Sequence, residues 1–455
     1  MLSHRDLLHN ASSNHLFLIL GYGMTGQALA RFLESQKRRY VIFDEKDIKT
    51  PSSPYCLDRI DLKQGSQLLL ENKISAIFPS PGVSLQHTLN TLACQSKVPI
   101  IGELELASFY LKGDFIAVTG TNGKSTTAML ISALLKDAGV ENRLSGNIGA
   151  PLIDAVNEPP FPYYVIEESS YQLELVGTLR HHIAICLNIT EDHFDRYQGI
   201  DDYAQAKANI IKNSTSDDWL IYNHDDVRCL RLSRSGPAQN MPFSLVNRFS
   251  GLGAQCEQNN LLIRLHQNEF CFDLGRCSLK GLHNHENMLA SLSAAIIIDS
   301  SPTALASYQN TLANFVGLPH RMQKIHSSNG IDYYDDSKAT NVDSVVMALA
   351  SFDGNVILIA GGQSKHCDYT PLKGIMHHKV KTLILLGEAQ DEMHDAFHDQ
   401  APTERVANMR EAVTLAKRLA TSGDVVLLSP ACASFDQYQN YKERGNDFQQ
   451  CAKTL

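Results

Sequence analysis

Short apolar runs, each closed by a glycine-rich or polar turn and followed by a stretch of helical spacing, recur along the whole chain. The runs at 16–20, 40–43 and 74–78 have the length and β-former content of buried strands, and 27–33 has the spacing of a helix between the first two. The same alternation returns at 115–118, 163–166 and 183–187, with a helix from 125 to the glycine at 139 and another through 207 that Asp201 is placed to cap. It returns again at 356–360, 382–386 and 425–428, with an amphipathic helix over 409–419. Strands alternating with helices predict an α/β protein built on parallel sheets. Residues 223–279 are richer in polar and loop-forming types, and their strand order is not legible from the pattern.

Three successive blocks follow, and 455 residues accommodate about three domains at ~150 residues each. The expected divisions are 1–102, 103–316 and 317–455. The first and third blocks are expected to be Rossmann-like, and the central block to be of P-loop type.

The polar residues concentrate just after the apolar runs, where open parallel sheets bind ligands. Residues 115–127 read FIAVTGTNGKSTT: a strand, a glycine loop, Lys-Ser and a helix. Gly120, Thr121, Asn122 and Gly123 can turn backbone N–H groups toward an anion. Lys124 can reach terminal phosphates, the Ser125 hydroxyl can ligate Mg²⁺, and Thr126 continues the helix start. Two residues separate the first glycine from Gly-Lys, where the common P-loop has four. As an isolated pattern, G-x-x-G-K-S also fits a plain strand-to-helix turn; its strand–helix context favours nucleotide phosphate. Residues 21–26, GYGMTG, followed about twenty positions on by Asp44, spell a dinucleotide fingerprint that taken alone predicts NAD.

A formal net charge of −9 does not suit nonspecific nucleic-acid binding. Residues 1–14 lack the apolar core of a signal peptide, and no run reaches the ~20 apolar residues needed to cross a bilayer. Ten scattered cysteines without a C-x-x-C pair favour reduced thiols and a cytoplasmic location, and argue against structural zinc.

Several segments in order carry a resemblance: GTNGKST (120–126), GNIG (146–149), ESSYQLE (168–174), LNITEDHFDRY (187–197), HNHEN (283–287), GLPHRM (317–322), DDSKATN (335–341) and SPACASFDQYQNYKERGNDF (429–448). Together they resemble the Mur ligases, in the branch that adds D-glutamate to UDP-N-acetylmuramoyl-L-alanine. The resemblance implies that ATP phosphorylates the carboxylate of the sugar nucleotide, that the D-glutamate amine attacks the acyl phosphate, and that a tetrahedral intermediate collapses to an amide. Positioning and electrostatics should then dominate catalysis.

It also implies roles. Lys124 and the loop around it hold ATP phosphates. Ser125 and Glu167 serve one Mg²⁺; His193 and Lys207 serve a second, Lys207 as a carbamate, because a protonated amine cannot ligate a cation. Asn284 and Asn287 lie near adenine, although Asn284 equally suits a helix start. Arg321 reaches ATP phosphates and Asp336 the ribose, which would tie domain closure to nucleotide occupancy. Lys338, Thr340, Lys365, Ser434, Phe435 and Tyr441 face D-glutamate. Met24, Thr25, Asp44, Ser80, Gly82 and Asn147 contact the UDP-sugar, so the first glycine loop holds a uridine nucleotide instead of NAD. Glu168 stands where the family more often has an apolar residue, and Glu45, Phe435 and Tyr441 also depart from the commoner choices. The expected partners are small molecules only, with no membrane or nucleic acid, and the expected state is a monomer.

Three other readings compete. A sister ligase adding a different amino acid, or a folylpolyglutamate synthetase-like ligase, shares much of the pattern, but the latter lacks the first domain. An NAD oxidoreductase leaves Lys124, Ser125 and the third block unexplained. A noncatalytic nucleotide switch leaves the metal and amino-acid positions unexplained. The HNH spelling at 283–285 lacks the metal partners and basic surface of a nuclease.

Overall fold

The computed structural model describes residues 16–192, 196–317, 319–364 and 368–454. Three sheets follow one another along the chain.

The first sheet contains β1 (Leu16–Leu20), β2 (Arg39–Phe43), β3 (Cys56–Arg59) and β4 (Ile74–Pro79), all parallel, in the order β3-β2-β1-β4. β1 is apolar throughout because both faces are covered. Phe17 and Ile19 join Leu29, Phe32 and Leu33 of the helix Met24–Ser35 on one side. Leu16, Leu18 and Leu20 meet Leu69, Leu89 and Ala93 on the other. That helix begins three residues before the expected 27, which puts Met24 and Thr25 in its first turn.

The second sheet has nine strands: β5 (Asp114–Thr119), β6 (Asn142–Gly146), β7 (Tyr163–Glu167), β8 (Ile183–Cys186), β9 (Trp219–Asn223), β10 (Gln239–Ser244), β11 (Gly253–Glu257), β12 (Asn260–Leu265) and β13 (Asn268–Asp273). Their order is β13-β12-β11-β10-β9-β8-β5-β7-β6, parallel from β6 to β11 and antiparallel over the last three. β5 lies between β7 and β8, with Val118 opposite Glu167 and Thr119 opposite Cys186. The strand ends bearing the predicted chemistry therefore share one edge. The segment that the pattern left unordered becomes β10 to β13. Its clearest strand, β12, buries Leu261, Ile263 and Leu265 in alternation.

The third sheet contains β14 (Gln323–Ser328), β15 (Ile331–Asp335), β16 (Val356–Gly361), β17 (Val380–Leu386), β18 (Thr403–Arg405) and β19 (Val425–Leu428). The order is β14-β15-β19-β16-β17-β18, parallel except for the β14–β15 hairpin. Its two apolar layers contain Leu358 and Leu385 on one face and Ile359 and Ile384 on the other.

The chain divides into two compact units. One comprises the chain up to Arg276 together with Glu286–Leu312, and the other Cys277–His285 with the residues from Ala313 on. The first two sheets belong to the first unit and the third sheet to the second. Among the described residues no helix is long and apolar enough to cross a membrane.

Candidate active site

β5 delivers the chain into the glycine loop, and the helix Lys124–Asp137 leaves it. Gly123, the residue before that helix, has φ +85, and a Cβ there would lie 2.4 Å from Asn287 Oδ1. Only glycine satisfies both constraints. Asn287 is buried and accepts a hydrogen bond from Thr127 Oγ1 at 3.2 Å, so it packs directly against the loop and helix start. Ser125 and Thr126 are buried in the first turn.

The loop is also held from the end of β8. Asn122 N–H donates to Asn188 Oδ1 at 2.8 Å, and Asn188 Nδ2 donates to the Asn122 carbonyl at 3.2 Å. Thr121 N–H donates to the Asn188 carbonyl, and Thr190 N–H to Thr121 Oγ1. Sequence reasoning assigned no role to Asn188. Its position immediately past an apolar strand was the available signal.

Two amines converge on one carbonyl. Lys124 Nζ donates to the Gly120 and Thr121 carbonyls at 2.7 and 2.8 Å. Lys207 Nζ donates to the same Gly120 carbonyl at 2.9 Å. Lys207 comes from the helix Ile200–Ala208, is 1% exposed, and has its Nζ 4.5 Å from the Tyr203 ring centroid. The N-cap is Gly199; Asp201 lies inside the first turn, where its charge suits the helix dipole, and does not cap it as expected. Burial, reinforced by the positive charge of Lys124, pushes the Lys207 amine well below the ordinary lysine range.

Glu167 ends β7 and is 2% exposed. Its Oε1 accepts from Asn147 Nδ2 at 2.8 Å, while its Oε2 is buried with no partner among the described residues. A buried carboxylate oxygen left without a donor beside a phosphate loop suits a cation. Asn147 is itself exposed. Among the described residues no three His, Cys, Asp or Glu side chains cluster as a metal cage. His193 lies outside the described residues, as does Lys365.

In the first sheet the glycine loop is tied to its own acid. Tyr22 N–H donates to Asp44 Oδ2 at 2.6 Å, and Ser80 Oγ to the Gly21 carbonyl at 2.9 Å. Asp44, Ser80 and the loop are thus brought together. Met24 and Gly82 are exposed beside them, and Thr25 is half-buried.

The second unit groups most of the remaining predicted residues. Asp336 is buried; its Oδ2 accepts from Ser429 Oγ at 2.8 Å and its Oδ1 from Met322 N–H at 3.2 Å. Burial pushes its carboxyl up to about 7. Arg321 is half-buried, and its charge acts on both Asp336 and His283. Lys338 Nζ lies 4.3 Å from the Tyr441 ring centroid, and its backbone N–H donates to the His320 carbonyl. Thr340 is half-buried, Ser434 buried and Phe435 67% exposed. Asn284 Nδ2 donates to the Lys280 carbonyl at 2.8 Å. Sequence reasoning also passed over Arg444. It is 2% exposed and donates to the Ser337 hydroxyl and carbonyl and to the Cys432 and Ala433 carbonyls, joining the loops that carry Lys338 and Ser434.

Comparison with known proteins identifies the family. The Mur ligase middle domain matches residues 118–295, and the glutamate ligase domain of Mur ligases matches 320–432. The UDP-N-acetylmuramoylalanine–D-glutamate ligase of Geotalea daltonii is 37% identical over 444 residues, covering 96% of this chain and 97% of its own. The protein of the same name from Porphyromonas gingivalis is 37% identical over 442 residues, covering 95% and 97%. Among solved structures, MurF ligase from Thermotoga maritima in complex with ADP has a TM-score of 0.61 at 15% identity, covering 99% of both chains, and shares the fold. With near full-length relatives at this identity and both domain families matched in order, the chain belongs to the Mur ligase family.

Proposed function

We propose that this chain is an ATP-dependent ligase that joins D-glutamate to UDP-N-acetylmuramoyl-L-alanine, releasing ADP and phosphate. Full-length relatives that share this name support the substrate pair. The observation that carries the chemistry is the convergence of Lys124 and Lys207 on the Gly120 carbonyl, at the same sheet edge as a buried Glu167 oxygen with no partner among the described residues.

Lys124 and the N–H groups of 120–126 bind and orient the ATP phosphates at the helix N-terminus. Ser125 and Glu167 would hold Mg²⁺, and His193 and Lys207 would serve a second ion; such ions would supply charge neutralisation for phosphoryl transfer. Burial, with the charge of Lys124 added, shifts Lys207 toward the neutral amine, and a neutral amine adds to CO₂ with loss of one proton to solvent to give an anionic carbamate. Asn284, Asn287, Arg321 and Asp336 are assigned to ATP. Lys338, Thr340, Lys365, Ser434, Phe435 and Tyr441 are assigned to the two carboxylates of D-glutamate, with lysines supplying charge and hydroxyls direction. Met24, Thr25, Asp44, Ser80, Gly82 and Asn147 are assigned to the sugar nucleotide. Domain boundaries at 102/103 and 316/317, a monomeric state, a cytoplasmic location, and the absence of membrane and nucleic-acid partners belong to the same reading.

The test is phosphate release with UDP-N-acetylmuramoyl-L-alanine, ATP and Mg²⁺, with single amino acids added in turn. Release and an amide product with D-glutamate, but not with L-glutamate, L-lysine or diaminopimelate, is the expected result. Preference for another amino acid reassigns the chain to a sister activity, and no ADP with any of them removes the ligase reading.

A further inference from the structure

Arg196 lies outside every role assigned above, yet one guanidinium ties a carboxylate of the second-sheet region to the turn after β4 of the first. It follows β8 in the chain, in the segment that also contains His193. Its guanidinium donates through Nε and Nη2 to both oxygens of Glu174, and through Nη1 to the Pro81 carbonyl at 3.1 Å. The same group lies 4.2 Å from the Tyr171 ring centroid. Arg196 and Glu174 are each 13% exposed, so the fork–fork pair is largely withdrawn from water. Tyr197 Oη donates to Glu174 Oε1 at 2.6 Å, which fixes the carboxylate from another direction.

Pro81 lies between Ser80 and Gly82 in the turn after β4. Ser80 is fixed to the first glycine loop through its hydroxyl, but Pro81 has no backbone N–H, and its carbonyl is the group Arg196 takes. On the other side the packing continues toward the phosphate site. The Tyr197 and Tyr203 rings have centroids 5.3 Å apart, and Tyr203 is the ring beneath Lys207 Nζ.

We infer that Arg196 is a positioning residue that sets the Ser80–Pro81–Gly82 turn relative to the Lys207 edge, and so presents the sugar nucleotide to the phosphoryl donor. This rests on the assignment of Ser80 and Gly82 to the sugar nucleotide. Arginine suits the task because one planar group satisfies a carboxylate with two donors and still has a third for a carbonyl, and lysine cannot copy that geometry.

The test is Arg196→Met, which keeps a long apolar stem against Tyr171. Two measurements are read on the folded full-length protein: hydrogen exchange of the Ser80 and Val83 amides, without any substrate, and separate KM values for the sugar nucleotide and ATP. Faster exchange of these amides is expected, with the sugar-nucleotide KM raised about tenfold and the ATP KM within about twofold of the parent. Unchanged exchange overturns the inference. So does an equal rise in both KM values, which is the mark of a general loss of structure. Faster exchange with an unchanged sugar-nucleotide KM also overturns it and removes Ser80 and Gly82 from the substrate site, while continued ligation leaves the proposed activity standing. If Arg196→Met does not accumulate as folded protein, Glu174→Gln is read by the same two measurements and the same criteria. Its expected KM effect is in the same direction and smaller, about threefold.

Discussion

His181 Nε2 lies 3.1 Å from Glu168 Oε1, and both side chains are essentially inaccessible to water. The other ring nitrogen, Nδ1, contacts the Ile210 carbonyl at 2.7 Å. One imidazole therefore joins the end of β7 to the chain just after the Lys207 helix. This explains how the chain tolerates a carboxylate at 168, where the family resemblance leads one to expect an apolar residue. Burial disfavours the imidazolium, but the negative charge and hydrogen bond of Glu168 override it, and the His181 pKa rises above its ordinary value. His181→Ala strands a buried carboxylate and should cost about 3 kcal/mol in urea unfolding. The double change Glu168→Leu with His181→Leu removes both polar groups and should fall within about 1 kcal/mol of the parent. The sign with pH follows: the pair's contribution is complete below the unfolded histidine value near 6.5 and is lost as pH rises through the raised folded value.

Glu103 gives a second pH signal of known sign. Burial pushes its carboxyl up to about 7, although Ile153 N–H donates to it at 2.6 Å. Its folded value is above its unfolded one, so stability is highest below pH ~4.5, falls as pH rises toward 7, and then levels off. The loss should be on the order of 3 kcal/mol, and Glu103→Gln should abolish that part of the slope. Unfolding free energies of parent and variant at several pH values, compared as a difference, check this. Parallel curves would refute it.

Gly123→Ala places a methyl group on the Asn287 amide at a positive φ. The expected cost is about 1–2 kcal/mol of stability, with a loss of ADP affinity of at least about tenfold. Calorimetric titration with ADP measures the second quantity directly. A variant with Asn287→Ala added should regain part of the stability, because the colliding oxygen is gone.

Lys207→Ala should lower phosphate release by about a hundredfold or more, given the usual worth of a lost electrostatic stabiliser. A short carboxylic acid added to that variant should restore part of the rate by supplying the missing anionic oxygens. Carbon-13 NMR of the parent in labelled bicarbonate should show a carbamate carbon that the variant lacks. Full activity in the variant, without any added acid, would dismiss the carbamate.

Much of the sheet framework was legible because the central strands are buried on both faces and are therefore continuous apolar runs, as at 16–20, 115–118 and 356–360. The hairpin β14–β15 escaped because Gln323–Ser328 is polar and half-exposed, although its Asn329-Gly330 turn, with both φ values positive, was readable. The glycine loop announced itself through Gly120, Gly123 and Lys124. The contacts that hold it did not: Asn188 reaches the loop through the strand order, and Asn287, which the family resemblance set near adenine, meets it from the helix Leu282–Ile298. Burial was the hardest property to foresee. Lys207, Glu168 and Arg444 belong to residue types that normally stay in water, and their withdrawal depends on contacts the local sequence does not display.

The bidentate grip of Asn188 on Asn122 has a consequence for loop length. A side-chain amide that pairs with both main-chain groups of one residue works as a template, with the rung spacing of a neighbouring strand. Two extra residues, which would lengthen the turn to the common size, would carry Asn122 out of register with that template. The short phosphate turn and the asparagine across from it are therefore a matched pair, and a graft of either into another scaffold has to carry both.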